Sequence, residues 1–323
     1  MCTAIVLGDK NRYFGRTLDL EYRLNESVII TPRKYHFYYK CEGIEITKYA
    51  IIGAGIIRDN YPLYYDATNE KGLSIAGLNF VNNAYYKQKI DGKINIAPYE
   101  LIPYLLGKFA SVDECMNALN EMNFVDLPFN EELPIARLHW IISDKNKTIT
   151  LECVKEGIKI YTNTVGALTN NPPFDFQMWN LSNYLNLSSR EVENRFSADI
   201  SLKQYSRGMG AIGLPGDLSS ASRFVRVCFT KLNAVLPSNE AEQVAQFFHV
   251  LGSVEQQEGS VRVEEGYERT QYTSCCDTEK MIYYYTTYEN SQPSAVRLTD
   301  KDASADKLIE YKISFKPSIR FIN

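Results

Sequence analysis

The sequence has few of the residues and motifs on which metal, nucleotide and serine-hydrolase chemistry depend. It holds three histidines in 323 residues, and no two lie at the spacing of metal ligands on one element. HExxH, GxSxG and a P-loop are absent, and the one GxGxxG, at residues 208–213, falls in a predicted loop. The sequence therefore disfavours zinc, nucleotide and Ser-His-Asp chemistry, and we expect His36, His139 and His249 to be structural.

Long apolar runs and clusters of basic residues are also missing. No run approaches the roughly 18 apolar residues of a membrane-spanning helix, and the N-terminus shows no signal-peptide pattern. The formal net charge is −4, and the lysines and arginines are scattered. We therefore expect a cytoplasmic protein with neither nucleic acid nor a membrane as partner.

Paired cysteine motifs are the third absence. The seven cysteines are dispersed and odd in number, and no CxxC occurs, which disfavours structural zinc and thioredoxin-like chemistry. Most of them are expected to be buried free thiols that pack as small hydrophobic residues. No metal site is predicted.

What the sequence does contain is a regular alternation of strand-rich and helix-rich segments. Short β-branched and aromatic runs fill residues 2–80, 138–163 and 269–299, and helices are predicted at 98–109, 111–124, 174–187, 221–236 and 240–251. Ser111, with Glu114 three residues later, is a capping-box pattern. The order lacks a regular βαβ rhythm, which favours an α+β fold with antiparallel sheets in a single domain over 1–323. Four glycines and a proline predict a loop within 201–220.

Cys2 directly follows the initiator methionine and offers a route to catalysis that needs no histidine. If Met1 is removed, one residue carries both a thiol and an α-amine, whose ordinary pKa of roughly 7.7–8.0 suits a general base. Arg16 and Asp19 follow on the predicted neighbouring strand and could support this chemistry. Their spacing of three puts them on opposite faces of a strand, so a surface ion pair remains an alternative reading.

Seven blocks of sequence resemble the choloylglycine hydrolase family of N-terminal nucleophile hydrolases, and specifically its bile salt hydrolase branch. They are MCTAI, YFGRTLDLEY, PLYYDATNEKGLSIAGLNF, LPIARLHW, LTNNPPFDFQ, IGLPGDLSSASRFVR and YYYTTYEN, in the family's order from residue 2 to about 290. The resemblance implies a four-layer αββα sandwich of two antiparallel sheets between helical layers. It covers essentially the whole chain.

The resemblance also implies a set of site residues. Cys2 matches the nucleophile, Arg16 and Asp19 match the pair that orients it, and Asn79 matches an amide donor of the oxyanion hole. Asn170 matches the asparagine that holds substrate and catalytic centre, and Arg223 matches the last charged residue of the site. Without the resemblance, the two asparagines would be interpreted as turn residues and Arg223 as a solvated charge.

The implied reaction is hydrolysis of the amide bond in glycine- or taurine-conjugated bile salts through a Cys2 thioester, with no cofactor. Segments 18–24, 57–65 and 129–138 would line the steroid groove, with Leu18, Phe129 and Ile135 as candidate contacts, although each is more simply a core residue. The family's usual homotetramer is expected here, with residues 201–216 as a possible oligomerisation excursion.

Two alternatives stay open. One is a penicillin V acylase, in whose branch the position of Asn79 is typically tyrosine, so that GLNF favours bile salts. The other is a non-catalytic protein of the same fold that binds an amphipathic ligand and keeps Met1.

Overall fold

Nineteen strands and six α-helices make up the regular structure of the computed structural model, which describes residues 1–264 and 266–323. The strands are β1 (Cys2–Leu7), β2 (Tyr13–Leu20), β3 (Ser27–Thr31), β4 (His36–Tyr39), β5 (Gly43–Ile46), β6 (Ile51–Arg58), β7 (Tyr61–Asn69), β8 (Ser74–Asn79), β9 (Ile94–Ile96), β10 (Met122–Phe124), β11 (Leu138–Ser143), β12 (Thr148–Val154), β13 (Gly157–Thr162), β14 (Ala167–Leu168), β15 (Val261–Val263), β16 (Gly266–Asp277), β17 (Ile282–Thr287), β18 (Asn290–Arg297) and β19 (Ile309–Lys312). The helices are α1 (Leu101–Lys108), α2 (Val112–Asn120), α3 (Phe174–Asn180), α4 (Ser220–Leu232), α5 (Glu240–Gly252) and α6 (Asp300–Ala303).

Two large antiparallel sheets form the centre of the molecule. The first has seven strands in the order β14-β1-β2-β16-β17-β18, with β15 added to the start of β16. The second has eight strands in the order β13-β12-β11-β8-β7-β6-β3-β19. β4 and β5 form a small hairpin, and β9 and β10 pair in parallel.

Helices cover the outer face of each large sheet. α4 and α5 pack on the first sheet, against β1, β2, β14 and β16, and α1 packs on the second, against β6, β7 and β8. One hydrophobic core lies between the sheets and under α4 and α5, and another lies beneath α1 and α2. The expected four-layer αββα sandwich is confirmed.

Coverage of both faces explains why the central strands β1 and β2 are buried along almost their whole length. All six residues of β1, CTAIVL, are buried, and so are the first seven of the eight residues of β2. A strand with only one covered face would alternate between apolar and polar residues. The buried polar residues of β2 therefore need partners inside the protein, and those partners build the site described below.

Three predicted helices are shorter than expected. The helix predicted at 111–124 ends at Asn120, because residues 122–124 pair with β9 instead; its start is as predicted, with Ser111 Oγ accepting the Glu114 N–H at 3.3 Å. The helix at 174–187 ends at Asn180 and continues as a 3-10 turn to Tyr184. The helix at 221–236 ends at Leu232, ahead of Pro237, which disfavours helical backbone at the preceding residue.

The segment 201–216 has a single 3-10 turn, at Met209–Ala211, and is otherwise irregular, as expected for a loop. None of the helices in the described part of the chain combines the length and the apolar character needed to span a bilayer.

Candidate active site

Cys2 begins β1 and lies almost completely buried, with 3% of its surface exposed. It pairs with Leu18 across the β1–β2 ladder. Its backbone N–H donates to Asn170 Oδ1 at 2.8 Å, and its carbonyl accepts from Arg223 Nη1 at 2.7 Å. The backbone of Cys2 is thus fixed on both sides by side chains from distant parts of the chain.

Arg223 reaches this backbone from α4 and is fully buried. Its Nη2 donates to Asn170 Oδ1 at 2.9 Å, and its Nη1 also donates to Thr3 Oγ1 at 2.6 Å. Burial lowers the pKa of the guanidinium, although the negative charges of Asp19 and Cys2 act in the opposite direction. Since arginine keeps its proton even so, Arg223 places a fixed positive charge beside Cys2, and the reading as a solvated charge is wrong.

Arg16 lies on β2 and points from the first sheet towards the second. Its Nη1 donates to the carbonyls of Gly77 and, at 3.1 Å, Tyr65, and its Nε donates to the Thr17 carbonyl at 3.1 Å. The β6–β7 register shifts at this point, leaving Tyr65 without a ladder partner, and such a bulge frees its carbonyl for Arg16. Burial disfavours the charged guanidinium, but nearby negative charges, that of Cys2 first, outweigh this and raise its pKa.

Asp19 is also fully buried but faces the other way. Its carboxylate accepts from Thr17 Oγ1 at 3.1 Å and from Thr270 Oγ1 at 2.6 Å, both in its own sheet. Within the described residues it forms no ion pair with Arg16, as the spacing of three along a strand requires. The alternative of a surface ion pair is therefore wrong.

The N-terminal residue Met1 occupies the space next to the Cys2 nitrogen. Its ammonium group donates to the Asp19 carbonyl at 2.8 Å and pairs with the carboxylate of Glu268, while its own carbonyl accepts the Asp19 N–H at 3.0 Å. Burial lowers the pKa of this ammonium group. While Met1 is attached, the Cys2 nitrogen is an amide that donates its hydrogen to Asn170 and cannot act as a base.

Asn79 and Asn170 meet at the end of β8. Asn79 is the last residue of that strand, opposite Leu138, and its carbonyl accepts from Asn170 Nδ2 at 2.8 Å. The Asn79 side chain is exposed and makes no hydrogen bond within residues 1–264 and 266–323. An amide in this position is available as a donor to a ligand, whereas the amide of Asn170 is already bonded within the protein.

An apolar cavity opens beside these residues. It is lined by residues from all three segments predicted for a substrate groove, including Leu24, Tyr65 and Leu138, and Phe129 and Ile135 are among them. Tyr65 and Leu138 link the cavity to the site. The Tyr65 carbonyl accepts a hydrogen bond from Arg16, and Leu138 pairs with Asn79 in the ladder between β11 and β8. Leu18 does not line it and is instead part of the core between the sheets.

Two residues that contribute to the site, Glu268 and Thr270, were not predicted from the sequence. Glu268 and Thr270 lie on β16 and reach Met1 and Asp19, respectively. Both lie in the polar run ERTQ, in which the sequence does not distinguish the buried Glu268 and Thr270 from the more exposed Arg269, so it carries no signal for these roles. Only the pairing of β16 with β2, which joins residues about 250 positions apart, brings them here.

The histidines play no part in this arrangement. His139 is buried, stacked on Phe80 with ring centroids 4.3 Å apart, and its nitrogens contact Glu152 Oε1 and the Thr169 carbonyl at 3.2 and 2.8 Å. His36 and His249 are exposed. Among the described residues, no group of three His, Cys, Asp or Glu side chains could hold a metal ion.

The remaining cysteines are free thiols, and all but the half-buried Cys41 are buried. Burial raises the pKa of Cys153 and Cys228 to about 12. These two thiols are therefore protonated near neutral pH.

Two antiparallel sheets between helical layers, with a cysteine opening the first strand among buried arginines and asparagines, define the fold of the N-terminal nucleophile hydrolases. Residues 2–311 match the family model of the linear amide C–N hydrolases, choloylglycine hydrolase family. The chain belongs to this family.

Relatives match over the whole chain. The "Bile salt hydrolase/transferase" of Lactiplantibacillus plantarum is 52% identical over 100% of both chains, and that of Clostridium perfringens is 41% identical, also over 100% of both. The solved structure of the C2A mutant of the conjugated bile acid hydrolase from Clostridium perfringens superimposes with a TM-score of 0.92 over 100% of both chains, at 40% identity. A penicillin V acylase from Agrobacterium tumefaciens shares the fold, with a TM-score of 0.74 at 20% identity over 96% of this chain and 90% of that one.

Proposed function

We propose that the protein hydrolyses the amide bond of glycine- or taurine-conjugated bile salts. The observation that carries the proposal is Cys2 at the start of β1, bonded to Asn170 and Arg223, in a site that an apolar cavity reaches through Tyr65 and Leu138. The names of the full-length relatives, bile salt hydrolase/transferase and conjugated bile acid hydrolase, point to the same substrates.

The proposed mechanism uses Cys2 as both nucleophile and base after Met1 is removed. The thiol gives its proton to the α-amine, and the thiolate attacks the amide carbonyl to form a tetrahedral intermediate. The intermediate collapses to a thioester as the α-ammonium protonates the leaving nitrogen, so glycine or taurine departs as an amine. Water, deprotonated by the α-amine, then cleaves the thioester, releasing the bile acid and restoring the thiol.

Each residue around Cys2 has a proposed role in this reaction. Arg16 and Arg223 place positive charge beside the thiolate, and Asp19 helps to fix the N-terminal strand. The exposed amide of Asn79 donates to the oxyanion. Asn170, whose Oδ1 lies 2.8 Å from the Cys2 nitrogen, orients that nitrogen once it is an α-amine. Phe129 and Ile135 contact the steroid, because its apolar rings match the apolar cavity that these residues line.

The experiment is hydrolysis of glycocholate, taurocholate and penicillin V by the purified protein and by a Cys2→Ala variant, with intact mass measured on both. We expect loss of one methionine, turnover of the conjugated bile salts and at least roughly a thousand-fold loss in Cys2→Ala. Undiminished turnover in Cys2→Ala would refute the mechanism.

Two outcomes would select the alternatives. Faster release from penicillin V would favour the acylase, whose Pectobacterium atrosepticum representative is 27% identical over 51% of this chain. A retained Met1 with no turnover of any substrate would favour a ligand-binding protein of the same fold.

We also propose that the chain forms a homotetramer through the excursion at 201–216 and the residues leading to it. Phe196 and Tyr205 are 83% and 84% exposed, which is unusual for large apolar side chains on a monomer surface. Light scattering on the wild type and on a Phe196→Asp/Tyr205→Asp double variant tests this, since the variant is expected to be smaller. A monomeric wild type would refute it.

A further inference from the structure

A buried carboxylate outside the expected set of site residues lies behind Arg16. Asp66, on β7 of the second sheet, is 1% exposed. It accepts hydrogen bonds from the hydroxyls of Tyr272, Tyr283 and Ser274 at 2.8, 2.7 and 3.0 Å. These donors belong to β16 and β17 of the first sheet, so the carboxylate connects the two sheets at the level of the site.

A carboxylate without nearby positive charge is strongly disfavoured at such a place. Burial raises the pKa of Asp66, while the nearby positive charge of Arg16 and the three hydroxyl hydrogen bonds act in the opposite direction. Ser274 joins the two residues, because its Oγ accepts the Arg16 N–H at 3.0 Å and donates to Asp66.

Within residues 1–264 and 266–323, Arg16 forms no direct ion pair that would neutralise its charge. Its guanidinium donates to the carbonyls of Thr17, Tyr65 and Gly77, and no carboxylate lies within 4 Å of it among the residues the structure describes. Neutral carbonyls hold the group in place without cancelling its charge. Cys2 and Asp66 are both among the anionic groups that act on it.

We propose that Asp66 is a positioning residue that shares the positive charge of Arg16 with the Cys2 thiolate and so limits how strongly Arg16 stabilises that thiolate. Two anions near one cation compete, because each lowers the potential that the other experiences. The inference rests on the proposed function for the identity of Cys2 as the nucleophile. It assigns Asp66 no contact with substrate.

An Asp66 variant keeps the other charged and titratable residues around the pair in the sequence. Around Asp66 they are Tyr272, Tyr283 and Cys276. Around Cys2 they are Arg223, Asp19 and the N-terminal amine. Asp66→Asn therefore removes one negative charge from the group, and a control at another buried aspartate accounts for the general effect of losing a buried carboxylate.

The test is the pH dependence of Cys2 alkylation by iodoacetamide, followed by peptide mass in Met1-free wild type and Asp66→Asn. Without Asp66's charge, we expect the midpoint for Cys2 to fall by about one pH unit. In the pH profile of kcat/KM for a conjugated bile salt, the rise on the acid side should also move to lower pH. The matched control is Asp277→Asn: Asp277 is fully buried at the end of β16 and pairs with Arg12, so no shift is expected.

An unchanged or raised midpoint in folded Asp66→Asn overturns the proposal. If that variant does not fold, Tyr283→Phe replaces it: loss of one donor favours protonated Asp66 and should produce a smaller shift in the same direction, and no shift there overturns the proposal equally. Alkylation needs no substrate, so a wild type that fails to hydrolyse bile salts would refute the proposed function and leave this measurement valid.

Discussion

The side-chain oxygen of Asn170 accepts two hydrogen bonds, one from the Cys2 N–H at 2.8 Å and one from Arg223 Nη2 at 2.9 Å. Arg223 in turn donates to the Cys2 carbonyl, so both peptide groups of Cys2 are held by residues 168 and 221 positions away in the chain. When Met1 is removed, the same nitrogen becomes the α-amine. Asn170 is then in place to orient the proposed base.

Asn170→Ala is expected to lower kcat by roughly a hundred-fold, because the α-amine loses its acceptor and misplacement of a reacting group by about 1 Å has an effect of that size. Asn170→Asp is the matched variant. It keeps the acceptor but loses the Nδ2 donation to the Asn79 carbonyl, so we expect a loss of roughly ten-fold. Steady-state kinetics measures both, and an Asn170→Ala enzyme within about two-fold of wild type would contradict the assigned role.

Local sequence was sufficient to predict an α+β fold with antiparallel sheets, and the family resemblance implied the sandwich. Local sequence did not predict which distant residues complete the site. The apolar runs around Cys2 and Arg16 predict buried strands, and a resemblance across seven blocks identifies the family. Nothing local shows that Arg223 is buried, because a helix's first turn commonly carries solvated charges. Its burial follows from the packing of α4 against β1 and β14.

The location of Leu18 and that of the missed residue Asp66 both depend on tertiary packing. Leu18 lies in a segment that was expected to line the groove, but its position opposite Cys2 directs it into the core between the sheets. Asp66 gave no signal because an aspartate within a strand is usually a surface residue or a bulge. Its surroundings depend on tyrosine hydroxyls 206 and 217 positions away.

Phe129→Ala is expected to raise KM for conjugated bile salts about ten-fold with little change in kcat. The ring lines the apolar cavity, so its removal weakens binding of substrate and transition state alike. Phe176→Ala is the control, since Phe176 lies on α3 and is half exposed. Equal KM values for the two variants would argue against steroid binding in this cavity.

Asp217 stabilises the start of α4, the helix that carries Arg223. Its carboxylate accepts from the Ser219 N–H at 3.0 Å and from Ser222 Oγ at 2.6 Å, and hydrogen bonds from these two serines lower its pKa to about 2. A carboxyl group with a lowered folded-state pKa stabilises the protein above its unfolded pKa and loses this effect as the pH falls through the folded value.

Wild type is therefore expected to exceed Asp217→Asn in stability by about 0.5–1 kcal/mol at about pH 6, a small difference because solvent screens this exposed group. The difference should shrink between about pH 4 and pH 2. Urea denaturation at several pH values measures it. Asp91→Asn serves as control, because Asp91 is exposed and makes no hydrogen bond in the described part of the chain. A difference that grows on acidification would contradict the assignment.

Gly15 permits the close approach of β2 and β16 immediately before Arg16. A Cβ at this position would lie 2.0 Å from the Ser274 carbonyl oxygen, which belongs to the rigid backbone of the neighbouring strand. Gly15→Ala should therefore lower the free energy of unfolding by about 2–3 kcal/mol, as measured by urea denaturation. Because Ser274 Oγ accepts the Arg16 N–H, activity should fall as well.

Gly252→Ala is the control for Gly15→Ala. A methyl group added at Gly252, the last residue of α5, would enter open space, and alanine favours helical backbone more than glycine does. The stability of this variant should therefore be unchanged or slightly higher than that of wild type. Equal unfolding free energies for the two variants would show that β2 and β16 can separate at Gly15 without cost, and that the tight contact there is not what holds Arg16 against Ser274.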